Sequence, residues 1–308
     1  MPKALIPAAA IDLGSNSFRL LIGLQDEQEL VIIARERTTI RLAQGLGANG
    51  LITTAKLATA LAAITSFRRE MDRFAVGRVR CCGTEALRRA TNRHSFLDPA
   101  GIILGTPIEV LTGREEADLC RLAVQDNLAD RISFPCLIAD VGGGSSEFIF
   151  QSSPQCPARV ISLPLGAVTL AELETVAKET ALRCLSGEVK NFLKEIDQPM
   201  IKTMVGSGGT ATSLAMMAQQ LSAYNSSRIN GFFLSRTKIN ALQGSLAGLS
   251  VKQRKDLPGL EAERADIISS GLEIYQEILA TIGATGMIVS DAGLLEGILC
   301  SITRGALT

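Results

Sequence analysis

The sequence predicts an α/β fold in two related domains, and three observations carry that expectation. At 308 residues the chain exceeds the usual size of one compact domain, so two domains are expected, with one large α/β domain as the alternative. A hexapeptide recurs: Asp12-Leu13-Gly14-Ser15-Asn16-Ser17 and Asp140-Val141-Gly142-Gly143-Gly144-Ser145 both read D-[LV]-G-x-x-S, 128 positions apart. Each copy lies between two short apolar runs, 8–11 and 18–22 in the first, 136–139 and 148–150 in the second, the pattern of strand, tight turn and strand. A third glycine cluster, Gly206-Ser207-Gly208-Gly209-Thr210, follows strand-like Met204-Val205 and opens a helical stretch, 211–221.

These turns suit a phosphorylated ligand. Glycine admits positive φ and close backbone approach, and successive N–H groups with the hydroxyls of Ser15, Ser17 and Ser145 can face phosphate oxygens. An aspartate ending the first strand, Asp12 or Asp140, can hold Mg²⁺ directly or through water. One Asp-Gly hairpin alone would be ordinary; two at domain-sized spacing imply two related halves facing one cleft. In the third cluster the helix N-terminus supplies free N–H groups and partial positive charge. No G-K-[ST] follows it and no G-x-G-x-x-G is completed, so neither a Walker A loop nor a dinucleotide fingerprint is present.

Between the repeats, 54–71 carries Leu57, Leu61, Ile64, Phe67 and Met71 at helical spacing, a core-facing stripe. Strand-like 79–82 leads into Gly83-Thr84, with Thr84 expected as an N-cap and Arg88 one turn beyond. After a strand at 108–111, Thr112-x-x-Glu115 reads as a capping box opening a helix toward Val124. Glu115 closes that cap, which leaves Glu116 as the spare carboxylate at strand ends where ligands collect; the alternative is two dipole-favoured surface glutamates. Further helices are expected near 169–196, 236–249 and 261–282 and a strand at 287–289, with Ser290-Asp291 either capping the final helix, the preferred reading, or merely ending the strand.

Composition narrows the class. Hydrophobic residues are 46% and charged residues 20% of the chain, which fits a soluble globular protein. The apolar runs are strand-sized, so no membrane segment or secretory leader is expected. Seven cysteines without a CxxC pair read as reduced thiols in a cytoplasmic protein, with Cys81-Cys82 as an apolar strand end. The one histidine, His94, placed in a polar loop, excludes multi-histidine metal sites and weakens a serine-histidine mechanism. Net charge is zero, yet residues 34–93 hold twelve Lys/Arg against four Asp/Glu, a balance of +8. That suits a polyanion that need not be nucleic acid, or else a solvated helix face.

Together the stretches DLGSNSFRLLI (12–22), GTEALRRATN (83–92), LTGREEADL (111–119), IADVGGGSSEFI (138–149), SLPLGAVTL (162–170), VGSGGT (205–210), LPGLEAERADI (257–267) and SDAGLLEGIL (290–299) resemble the exopolyphosphatase and guanosine pentaphosphate phosphohydrolase family. The resemblance implies two ribonuclease-H-like domains of the actin-like ATPase superfold around a central cleft, at 1–124 and 125–308, with the final helix free to pack back on the first. It implies Glu116 as the catalytic glutamate that orients or deprotonates water. Asp12, Asp140 and Glu147 match acids serving Mg²⁺ (or Mn²⁺), and Arg88 matches a phosphate-contacting arginine. Ser15, Asn16, Ser17, Gly142, Gly143, Gly144, Ser145, Gly206, Ser207, Gly208, Gly209 and Thr210 match the phosphate loops. The implied partner is inorganic polyphosphate or guanosine pentaphosphate, with no nucleic acid and no membrane; a homodimer is left open. Asp118 and Leu295 stand where the family usually has arginine, and the C-terminal helical domains of long members are missing, so a preference for shorter chains and weaker processivity are expected. A sugar or acetate kinase and a non-enzymatic nucleotide switch are the competing classes on the same superfold.

Overall fold

Ala8 to Leu13 is apolar at every position but Asp12, the near-continuous pattern of a strand buried on both faces. In the computed structural model, which describes residues 6–25, 30–46, 49–196 and 200–303, this segment is a central strand buried throughout. The chain divides into two compact units, Met1–Ala123 with Leu294–Thr308, and Val124–Gly293.

The first unit runs β1 (Ala8–Leu13), β2 (Ser17–Gln25), β3 (Leu30–Thr39), α1 (Thr54–Arg73), β4 (Arg78–Gly83), α2 (Glu85–Arg89), α3 (His94–Leu104), β5 (Ile108–Val110) and α4 (Gly113–Leu128); the division between units falls inside α4. Its sheet has the order β3-β2-β1-β4-β5. β1 is antiparallel to β2 and parallel to β4, which brings the ends of β1, β4 and β5 to one edge. The second unit continues with β6 (Cys136–Val141), β7 (Ser146–Gln151), β8 (Arg159–Leu163), α5 (Ala167–Ala171), α6 (Thr175–Glu195), β9 (Thr203–Ser207), α7 (Gly208–Ala218), α8 (Ser226–Ile229), β10 (Phe233–Ser235), α9 (Arg236–Leu246), α10 (Val251–Arg254), α11 (Ile268–Ile282) and β11 (Gly286–Val289), and the chain closes with α12 (Leu294–Thr303) in the first unit.

The second sheet reads β10-β11-β9-β6-β7-β8. Taken from β8, its first five strands repeat the connectivity of the first sheet, with β10 added antiparallel beyond β11. The duplicated hexapeptides are therefore the β1–β2 and β6–β7 hairpins of two ribonuclease-H-like sheets.

α1 buries Ala60, Ala63, Ile64, Phe67 and Met71, while Leu57 and Leu61, expected in the same stripe, are only half-buried. α12 packs Leu294, Leu295, Ile298 and Leu299 into one cluster with Ala8, Ala10, Leu21 and Cys82. Three expectations need correction. The 169–196 helix is two, because 172–174 turn away between α5 and α6. The 261–282 helix opens as a single 3₁₀ turn, Ala262–Arg264, before α11. His94 lies at the start of α3, its Nδ1 3.5 Å from Asp98 Oδ1 one turn on; both side chains are exposed, an arrangement worth little in water.

Candidate functional site

In the first unit the β1–β2 turn is closed by Gly14 N–H donating to Ser17 O at 3.2 Å. The carbonyls of this turn are bound from behind: Asn16 O accepts from Ile40 N (3.0 Å) and Arg41 N (2.7 Å), and Ser15 O from Ala43 N (3.0 Å). Lys56 on α1 donates to the carbonyls of Arg41 and Gln44 and so fastens that supporting segment. Ser15 Oγ accepts from Ala86 N at 3.2 Å, tying the turn to α2. The backbone N–H groups of Ser15 and Asn16 donate to no other group among the described residues. With the carbonyls taken, those N–H groups are the polar face the turn has for an anion.

Asp12, at the end of β1, is 2% exposed and stands opposite Arg19 in register. Arg19 Nε and Nη2 both reach Asp12 Oδ2, at 2.9 and 2.5 Å. Oδ1 is buried without a hydrogen bond among the described residues. Burial raises the pKa of this carboxyl, and Arg19 offsets part of the rise.

The capping box at α4 is formed. Glu115 Oε2 accepts from Thr112 N (2.7 Å) and Thr112 Oγ1 (2.8 Å), while Glu115 N donates back at 3.2 Å. The two bonds from Thr112 hold the Glu115 pKa below its ordinary value. Glu115 is exposed, and Glu116 one residue on is 6% exposed and ion-paired with Arg88. Arg88 also donates to Leu111 O at 2.6 Å and, through Nη2 and Nε, to Glu85 Oε2 at 2.8 and 3.1 Å. Thr84 occupies the N-cap position of α2 but makes no side-chain cap; its hydroxyl donates to Leu13 O at 3.4 Å.

The second unit repeats the design. Gly142 N donates to Ser145 O at 3.0 Å, the bond that Gly14 makes to Ser17. Gly142 O accepts from Ala167 N (2.9 Å), and Gly143 O from Val168 N (2.8 Å) and Thr169 N (3.2 Å). Here too the segment after the third strand binds the turn's carbonyls, and the N–H groups of Gly143 and Gly144 donate to no group among the described residues. Asp140 stands opposite Glu147 in register, the position that Arg19 occupies in the first unit. Glu147 is 4% exposed and accepts from Ser162 Oγ at 2.8 Å.

The third loop leaves β9 through Gly206 and Ser207 and enters α7 at Gly208, whose φ of +86° calls for glycine. Gly208 lies against the Asp140 carboxylate. Ser207 is fully buried, its hydroxyl donating to Ala292 O at 3.3 Å, and Thr210 packs on Gly271 of α11. Tyr275, also fully buried, donates to Ser207 O at 2.7 Å. Ser290 and Asp291 do not cap the final helix: Ser290 Oγ donates to Ala292 O at 2.7 Å, and Asp291 accepts from Tyr224. Asp291 is therefore turned to its own unit's loop rather than to a helix start.

Residue-by-residue reading missed four positions. Glu85 and Gly166 lie in matched segments but carry no motif signal of their own. Tyr275 reads as one more apolar position of α11. Arg264, ion-paired with Glu261 at 2.7 Å, places its guanidinium against Gly209 at the start of α7; the E-x-x-R spacing at 261–264 was the available signal. Leu295, which stands where the family usually has arginine, is 2% exposed within the α12 cluster, and Asp118, the other such position, faces Arg114 at 3.8 Å.

The chemistry of a divalent cation fits these acids. Two like charges directly opposite on paired strands repel, and Asp140 with Glu147 is such a pair, half-buried and buried respectively. In the first unit, Asp12 keeps a buried Oδ1 without a hydrogen bond among the described residues. Among the described residues no three His, Cys, Asp or Glu side chains form a group that could hold a metal ion by themselves.

A duplicated ribonuclease-H-like sheet with two aspartate-led hairpins whose turn N–H groups are unengaged among the described residues, and with a Glu116–Arg88 ion pair in the first unit, fits an α/β phosphoanhydride enzyme. Residues 21–305 match the Ppx/GppA phosphatase family, and the chain belongs to that family. It is 30% identical to "Exopolyphosphatase 2" of Mycobacterium tuberculosis, over 97% of this chain and 99% of that protein. It is 29% identical to "Guanosine-5'-triphosphate,3'-diphosphate pyrophosphatase" of Vibrio parahaemolyticus, over 94% of this chain and 58% of that one. The solved structure of the Aquifex aeolicus PPX-GPPA enzyme superposes with a TM-score of 0.77 at 29% identity, over 96% of this chain and 99% of that chain. Among the described residues no helix is long and apolar enough to cross a membrane.

Proposed function

We propose that this protein hydrolyses the terminal phosphoanhydride bond of inorganic polyphosphate and releases orthophosphate. The observation that carries the reading is the division of labour at the start of α4: Glu115 closes the cap, while its neighbour Glu116 is buried against Arg88. A carboxylate not needed by the helix, held next to a guanidinium, is what hydrolysis of a phosphoanhydride asks of a scaffold. Phosphoryl transfer to water is mostly positioning and charge stabilisation. In this reading Glu116 orients the attacking water and accepts its proton, Arg88 takes a phosphate oxygen, and the N–H groups of Ser15 and Asn16 hold further oxygens; in the second unit the N–H groups of Gly143 and Gly144 are phosphate-binding groups of the same kind. Mg²⁺ or Mn²⁺, held by Asp140 and Glu147, would supply charge neutralisation at the phosphate oxygens. The match over nearly the full length of an exopolyphosphatase supports polyphosphate as substrate. Guanosine pentaphosphate is the second reading, favoured by the Vibrio relative. A cytoplasmic location is part of the proposal, resting on the reduced-thiol pattern.

The test is orthophosphate release from short polyphosphate, long polyphosphate, guanosine pentaphosphate and ATP, side by side. Glu116→Gln should lose on the order of 10²–10⁴ in kcat and remain folded, while Glu115→Gln keeps the cap and most activity. Collapse of the Glu115 variant with survival of the Glu116 variant would reverse the assignment. Release from guanosine pentaphosphate alone would select the second substrate.

A further inference from the structure

Glu85 is a buried carboxylate that the proposed chemistry does not use. It is 9% exposed, beside elements read as binding phosphate, where a negative charge works against an anionic ligand and pays a desolvation cost as well. A five-residue helix gains little from one i,i+3 pair, since exposed pairs of that kind contribute a few tenths of a kcal/mol. What Glu85 does have is Arg88. Its Oε2 accepts from both Nε and Nη2 of that residue, so one edge of the guanidinium is clamped. The opposite edge, Nη1, meets Leu111 O and Glu116. These contacts engage four of the five guanidinium N–H groups. Rotation of the plane about its Cδ–Nε bond would move Nη2 off Glu85.

We propose that Glu85 is a positioning residue that sets the guanidinium of Arg88, and through it the carboxylate of Glu116, for attack on the phosphoanhydride. The inference rests on the reading of Arg88 and Glu116 given above. Without Glu85, the long Arg88 side chain turns both its N–H edges to Glu116 as a fork-to-carboxylate pair, and that carboxylate then has less of itself to offer water. The removed negative charge at the same time eases binding of a polyanion.

The experiment is steady-state kinetics on polyphosphate for Glu85→Met, Arg88→Ala and the double variant, with thermal melts to verify folding. Glu85→Met keeps the length of the side chain and removes the acceptor; Glu85→Ala replaces it if that variant is unfolded. Glu85→Met should lose about tenfold or more in kcat with KM unchanged or lower, and Glu85→Gln, whose carbonyl oxygen can accept the same two bonds from Arg88, should recover most of that loss. A general loss of structure would not give that split. In the Arg88→Ala background the same substitution should cost less than about twofold, because its effect runs through the arginine. Wild-type kcat for Glu85→Met beside an impaired Arg88→Ala enzyme sinks the inference alone, as does an equal loss in both backgrounds. Wild-type kinetics for Arg88→Ala would instead sink the reading on which it rests.

Discussion

Gly166→Ala should displace the β6–β7 turn, the proposed second phosphate loop, without unfolding the protein. Gly166 has φ −129° and ψ −177°, extended backbone that alanine adopts freely, so the penalty is purely steric. An added Cβ would lie 2.5 Å from the carbonyl carbon of Gly143, 2.6 Å from its oxygen and 2.7 Å from Gly142 O. Carbon atoms rest about 3.5–4.0 Å apart, so the two backbones must separate by about 1 Å. Nothing there can rotate away, because all three atoms are main chain. The same separation stretches the bonds from Ala167, Val168 and Thr169 to the Gly142 and Gly143 carbonyls, now 2.9, 2.8 and 3.2 Å. Overpacking of this kind costs about 1–3 kcal/mol, which a protein of this size survives. A misplacement of about 1 Å at a reacting centre lowers rate by up to about 10²-fold. The assay is kcat for orthophosphate release, beside a thermal melt. Gly187→Ala is the control: that glycine lies inside α6 with nothing within 4 Å of an added Cβ, so it should be fully active and slightly more stable. A folded Gly166→Ala enzyme with kcat within about twofold of wild type would refute the idea that this segment aims the loop.

Two further outcomes follow from the same geometry. The Glu115 pKa is lowered in the fold, so its cap contributes stability above the unfolded carboxyl pKa, and the contribution fades as pH falls through the lower folded value; Glu115→Gln should flatten stability in that acid window, as read by melts from about pH 3 to 6. Chelation should stop turnover, and Glu147→Gln should demand more Mg²⁺ for half-maximal rate, since one of two facing carboxylates is lost. Full activity after exhaustive dialysis against EDTA would leave those acids without a cation.

Much of this was legible in the chain. The two hairpins, the third glycine turn and the capping box closed by Glu115 are local features, written in contiguous residues whose geometry depends on few neighbours. Cys81 and Cys82 read as a strand end and lie buried there, burial pushing the Cys82 thiol up to about 12. The breaks at 172–174 and 265–267 contain neither glycine nor proline, so nothing in the local sequence interrupts the helical pattern there.

What only the tertiary structure decided is which groups meet across long separations. That Arg19 faces Asp12 while Glu147 faces Asp140 follows from strand register, and it makes one half of a duplicated hairpin neutral at that point and the other doubly acidic. That the carbonyls of both turns are bound by the segments after the third strands depends on where β3 and β8 end, and β3 and β8 had no pattern strong enough to announce them. Arg88 meets Glu116 across 28 positions and Arg264 lies on Gly209 across 55. Spacing along a chain specifies a turn or a helix face, because a few dihedrals connect the residues concerned; it leaves open which distant side chains share a site, because that depends on how whole sheets and helices pack.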